Sequence, residues 1–177
     1  MVFAMMDYYT RLMQFMDTGG PVLWLIALLT FAMWVAIFER IWYFHSGLKH
    51  DVATAVTAWE ARPEHRSWNA ASIRKLLISR IAVKIQQNLS MIKTMVALCP
   101  LLGLLGTVTG MIDVFNVLAV TGGGDAKAMA GGVSRATIPT MAGMVAALSG
   151  VFANSYLERL AVSETQHLQD RLTKDLV

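Results

Sequence analysis

Three long apolar runs separated by polar stretches dominate the chain. The first, Val22 to Phe44, carries no charge until Glu39 and Arg40. Hydrocarbon about 30 Å thick needs about 20 helical residues, so this run is long enough to cross a membrane. Trp24 near one end, and Trp42 and Tyr43 near the other, fit the aromatic belts of membrane interfaces. A second run extends from Thr94 to Val120 and a third from about Thr137 to Tyr156. The pattern predicts an all-α integral membrane protein with three transmembrane helices, over residues 21–44, 94–120 and 137–156.

The segments between the runs have their own periods. Within residues 1–20, Met5, Tyr9, Leu12 and Met16 recur at helical spacing, as in a short external amphipathic helix on the membrane surface. A disordered apolar tail is the alternative. Asp7 and Asp17 stand where a cleavable signal peptide would carry basic residues. Thr18-Gly-Gly-Pro21 ends this helix, and Pro21 suits the first turn of the next. In residues 45–93, Val52, Val56 and Trp59 suggest one amphipathic helix and Arg62-Pro63 a break. From Ile73 through Leu77, Ile81 and Ile85 a 3.6-residue period runs on into the second span without interruption. Residues 121–136 read as a glycine-rich turn, with Pro139 in the first turn of the third span. Residues 157–177 read as a charged helix seamed by Leu160, Leu168, Leu172 and Leu176.

Composition agrees: 55% of the 177 residues are hydrophobic and 15% charged, against about 25% charged in soluble domains. In residues 45–93, Lys49, Arg62, Arg66, Arg74, Lys75, Arg80, Lys84 and Lys93 outnumber Asp51, Glu60 and Glu64. The positive-inside rule puts that loop and the C-terminus in the cytoplasm and the N-terminus outside. No basic cluster is dense enough for nucleic acid. The glycine-rich turn lacks a Gly-Lys-Ser/Thr ending for phosphate. The four histidines show no metal-binding spacing, and no catalytic constellation is present, so an enzyme is disfavoured. The single cysteine, Cys99, reads as a small buried hydrophobe.

The second and third runs carry unusual faces. Gly103, Gly106, Thr107 and Gly110 share one side of a helix, with Asp113 at its edge. On the third span Thr140, Gly143, Ala147, Gly150 and Asn154 share a stripe, with Thr137 at its margin. Small residues let helices approach closely in lipid, where packing drives association. Intramembrane threonines either bond back to their own helix or face a neighbour. A charged Asp at mid-helix costs about 2.5–3.5 kcal/mol and less near an interface; Asp113 lies about two turns from the outer end of its span, so it faces protein, faces water or is protonated. Glu39 and Arg40 read best as interfacial anchors, each with a partner other than its neighbour.

Gly103-Leu-Leu-Gly-Thr-Val-Thr-Gly110, the outer glycine-rich turn and Pro139-Thr-Met-Ala-Gly-Met-Val-Ala-Ala147 resemble the family of ExbB, TolQ and MotA, most of all short ExbB-type proteins. The resemblance implies a subunit of a ring, usually a pentamer, in the inner membrane of a Gram-negative bacterium. Spans two and three would line a pore holding ExbD-like single-span partners, usually two copies. Protons would be the coupling ion, with no other cofactor, and a TonB-like protein would carry the work to outer-membrane transport of cargo such as iron–siderophore complexes. The family's pore threonines match Thr107 and Thr140. Arg135 stands where ExbB and TolQ usually carry Glu, and Asp113 where relatives often show Asn, so one acid could replace another across the two helices. The alternatives are a TolQ-like role in envelope maintenance and a non-conducting membrane scaffold. A flagellar stator is disfavoured because such chains usually have four spans.

Overall fold

The computed structural model describes residues 2–61, 68–122 and 126–174. Its elements are α1 (Val2–Trp42), a π-helical stretch (Tyr43–Gly47), α2 (Leu48–Glu60), α3 (Trp68–Gln86), α4 (Leu89–Thr121) and α5 (Ala126–Lys174). Three helices are long and apolar enough to cross a membrane. Within their most apolar windows only 28%, 22% and 33% of the chain is buried, so most of that surface is left for lipid or other chains. Two compact units are formed, one by Met1–Trp34 with Thr94–Val151, the other by Val35–Lys93 with Phe152–Val177.

In the first unit α1 is kinked at Gly20, whose φ of 68° and ψ of −165° leave helical geometry. The cause is local: Pro21 pushes the residue before it out of the α region, and glycine takes a positive φ without a Cβ penalty. Beyond the kink, Val22, Leu23, Ile26 and Met33 are buried.

In the second unit the helical period before the second span does not run through. The chain breaks at Gln87–Asn88, where Asn88 adopts a φ of 65°. Asparagine is among the few side chains that visit this region readily. The Arg62–Pro63 break lies outside the described residues. Leu48, Ala55 and Trp59 form the buried side of α2.

Two expectations about α5 are corrected. Residues 126–136 belong to the helix rather than to a turn, and Pro139 is in its interior, not its first turn. Packing overrides the glycines here: Gly132 lies against Val114, and Ala136 is 3% exposed. The C-terminal seam is also displaced. Leu157, Ala161 and Leu168 are buried and Leu160 is half-buried. The side chain of Leu172 and all of Leu176 lie outside the described residues.

Candidate functional site

The glycines of α4 lie against α5. A Cβ at Gly103 would stand 2.9 Å from Thr140 Cα and 3.1 Å from the Pro139 carbonyl oxygen. One at Gly106 would strike the Pro139 ring, and one at Gly110 would come within 2.7 Å of Ala136 Cβ. From the other side, a Cβ at Gly143 would lie 2.5 Å from the Cys99 carbonyl oxygen. At Gly150 it would meet Met33 Sδ at 2.6 Å and Val96 Cγ2 at 2.7 Å, which brings α1 into the cluster. Ala147 is 8% exposed on the same stripe. At Gly103, Gly106, Gly110 and Gly143 the obstacle is backbone or a Cβ, so only hydrogen permits the contact there, and close backbone approach gives dispersion contacts that lipid cannot replace. The neighbour of each small face is therefore another helix of the same chain.

The threonines differ in what they hold. Thr140 Oγ1 donates across the seam to the Gly103 carbonyl at 2.9 Å. Thr107 Oγ1 donates to Leu104 of its own helix at 2.7 Å, Thr137 to Ser134 at 2.8 Å, and Thr109 to Leu105 and Gly106, each at 3.1 Å. Thr107 and Thr140 are half-buried at the edge of the seam, and Thr137 is exposed. A donating hydroxyl keeps lone pairs, so each can still accept a hydrogen bond from an acid.

Asp113 and Arg135 line one open-sided cavity of about 450 Å³ in the first unit, together with Asp17, the Gly19–Val22 kink, Thr109 and Val114. Asp17 directly precedes the residues where the first apolar run begins. This sets Asp113 at the level where that span starts, not at mid-depth, and its desolvation cost falls accordingly. One cavity is thus lined by both positions at which the family resemblance leads one to expect another residue, Asp113 and Arg135. Among the described residues no group of three or more His, Cys, Asp or Glu is placed to hold a metal.

The profile of the MotA/TolQ/ExbB proton channel family matches residues 41–170. The chain belongs to that family. Within it the chain is similar to an ExbB-like biopolymer transport protein of Synechocystis sp., 51% identical over 33% of this chain and 24% of that protein. The biopolymer transport protein ExbB of Xanthomonas campestris pv. campestris is 32% identical over 47% of this chain and 33% of its own length. The ExbB of Helicobacter pylori is 33% identical over 46% of this chain and 57% of its own length. The aligned stretch therefore spans less than two thirds of each of these relatives. This ExbB-like member of the proton channel family is a membrane protein of a transport family, not of an enzyme family.

The second unit of this family member holds a polar cluster that sequence reasoning read differently. Arg40 is not an exposed anchor: it is 3% exposed. Its Nη1 donates to the Lys84 carbonyl at 3.2 Å, and its guanidinium lies 5.3 Å from the centroid of the Tyr43 ring. Lys84 lies in the last turn of α3, where carbonyls lack intrahelical donors and a cation complements the helix dipole. Glu39 Oε2 accepts from Asn88 Nδ2 at 3.3 Å and lies 3.9 Å from Arg40 Nε. Tyr43 and Lys84 both donate to Asp51, at 2.8 Å and 3.1 Å. The available signal was register, because Arg40 follows Met33, Ala36 and Ile37 on one buried stripe.

Proposed function

We propose that this protein is the ring subunit of an ExbB-like, proton-driven motor of the inner membrane. With an ExbD-like single-span partner in the pore, it would energise a TonB-like protein for active transport across the outer membrane. The N-terminus is then periplasmic and the C-terminus cytoplasmic. The observation that carries this reading is the glycine seam of α4 and α5 with a threonine hydroxyl at its edge on each helix, in a chain similar to proteins named for biopolymer transport.

In this proposal Thr107 and Thr140 face the partner's carboxylic acid, with Thr137 and Asp113 further along the proton path. The two hydroxyls already donate to carbonyls, so each meets a protonated acid as an acceptor. Each can meet a carboxylate as a donor only by releasing its carbonyl. That exchange ties proton arrival to local motion. One charge moved through the potential yields about 2.3 kcal/mol per 100 mV.

Native mass spectrometry of the protein isolated with the product of its neighbouring reading frame tests the assembly. A mass of several copies plus a single-span, Asp-bearing chain supports the motor, and a partnerless oligomer overturns it. Thr107→Ala and Thr140→Ala test the mechanism: both should assemble and lose proton-coupled transport. Normal transport in both variants would leave the threonines as packing residues of a scaffold.

A further inference from the structure

The outer end of the first unit carries apolar surface beyond the bilayer. α4 runs antiparallel to α1: a Cβ at Gly106 would lie 3.3 Å from Val22 Cγ1, and one at Gly150 would meet both Met33 and Val96. Asp17, Asp113 and Arg135, one charge from each of the three helices, line one cavity and so share one level. Inward of it, the 18 residues from Pro21 to Phe38 carry no charge and rise about 27 Å as a helix, close to the hydrocarbon thickness of about 30 Å. The charged level is therefore the outer edge of the membrane. Beyond it, Phe115, Val117 and Val120 of α4 and Met129 and Val133 of α5 are exposed. Gly132 lies against Val114, so the two helix ends are side by side there. Exposed apolar surface outside lipid marks an interaction site.

The same chain has a second uncovered face on this side. Outward of the kink, α1 continues as an arm, residues 2–19. Met5, Tyr9, Leu12 and Met16 share one side of that helix. Met16 is buried, and every residue from Met5 to Phe15 is exposed. Within one chain, then, the arm covers neither the patch on α4 and α5 nor its own apolar face. Lipid suits it poorly: helices that lie on a leaflet carry several Lys and Arg on their polar side. The arm's one basic side chain, Arg11, is held by Asp7 at 3.5 Å, and Asp17 adds a further negative charge.

We propose that the arm of each copy packs its Met5, Tyr9 and Leu12 face onto the Phe115, Val117 and Val120 patch of the next copy, outside the bilayer. The inference rests on the ring reading for the presence of a neighbour. Arm and patch are different surfaces of one chain, so the contact is head-to-tail, the kind that closes into a ring. Each copy gives one arm and receives one, and both faces are covered. Gly20, with its φ of 68°, breaks the helix, so the arm need not follow the axis of the span that carries it. Methionine and the aromatic rings of Tyr9 and Phe115 fit such a surface by shape, without directional bonds.

The test is disulfide trapping in native membranes, followed by native mass spectrometry of the extracted oligomer. Two differently tagged copies are co-expressed, one with Leu12→Cys and the other with Phe115→Cys, Val117→Cys or Val120→Cys in turn; Cys99 is buried and stays in place. Oxidation should join the two tags for at least one pair, in about tenfold higher yield than with Gln14→Cys, which lies on the polar side of the arm. As a second reading without added cysteines, Leu12→Ala should raise the concentration at which the oligomer dissociates about tenfold, as expected for one buried leucine, and Gln14→Ala should leave it unchanged. An oligomer of wild-type mass with no disulfide between tags, or with equal yields from Leu12→Cys and Gln14→Cys, would overturn the proposal and leave the ring standing, with the arm on the leaflet or another protein on the patch. A monomer would overturn both.

Discussion

Replacing Gly143 with Ala places a Cβ 2.5 Å from the Cys99 carbonyl oxygen and 3.3 Å from Gly103 Cα. Both obstacles are backbone, so no side chain can swing aside. To reach the 3.4 Å of ordinary contact, α4 and α5 must separate by about 0.9 Å. Overpacking of this kind costs about 1–3 kcal/mol. The same separation stretches the 2.9 Å bond from Thr140 to Gly103 past the 3.5 Å limit of a hydrogen bond, forfeiting about 0.6 kcal/mol more in a membrane setting. Alanine returns about 1 kcal/mol of helix propensity. The net expectation is destabilisation by about 0.6–2.6 kcal/mol. Gly131→Ala is the control, because a Cβ there meets nothing within 4 Å; it should stabilise by up to about 1 kcal/mol. Thermal unfolding of both variants in detergent, followed by circular dichroism, reads the difference. A Gly143→Ala protein as stable as Gly131→Ala would refute the seam as a backbone-limited contact.

Gly20→Ala should cost about 1–2 kcal/mol in the same assay, since its φ of 68° penalises a Cβ and Pro21 opposes relaxation into the α region. Arg40→Ala should cost about 2–3 kcal/mol, because it strips the Lys84 carbonyl of a charged donor. Arg40→Met, which keeps the apolar stem, should cost measurably less; equal losses would mean that packing plays no part. Asp51 gives a pH signature. The Tyr43 hydroxyl, and after it the Lys84 ammonium, hold its carboxyl below the usual carboxylate range, with partial burial opposing them. A depressed folded pKa means that the contribution is complete above the unfolded value and is lost as pH falls through the folded one. Melting temperature should therefore fall more steeply on acidification in the wild type than in Asp51→Asn, and parallel curves would dismiss the network.

The three spans and the small faces were legible because both are periodic properties of a helix. An apolar run long enough to cross hydrocarbon has few alternatives, and glycines spaced three or four apart have no use on a lipid-facing side. Periodicity does not say which element covers a face. The sequence therefore could not distinguish a partner helix at Gly103, Gly106 and Gly110 from α5 of the same chain. Arg40 was read as an anchor because a charged residue at the end of a span is usually solvated. Its burial depends on the carbonyl of Lys84, 44 residues away in sequence, which no local pattern encodes. The early start of α5 was hidden for a related reason: Gly131 and Gly132 signal a turn locally, and the packing of Gly132 against Val114 overrides that signal.

Closure of the glycine faces on each other changes what the two spans can offer to a neighbour. Leu101, Leu104, Leu105, Val108 and Ile112 remain exposed on α4, and Met141, Met144, Val145 and Leu148 on α5. These side chains make no directional bonds, so a helix moving along them meets a nearly uniform dispersion surface. On the motor reading, half-buried Thr107 and Thr140 at the margin of the seam become the polar waypoints of such a surface. Thr107→Val isolates that role, because it keeps the branched shape and removes only the hydroxyl, whose bond to Leu104 lies within its own helix. Its loss should cost stability little, about 0.6 kcal/mol or less. An intact oligomer with proton-coupled transport abolished would assign the hydroxyl to the moving proton. Full transport would move the waypoint to Thr140 alone, the one of the two whose hydroxyl also joins the helices.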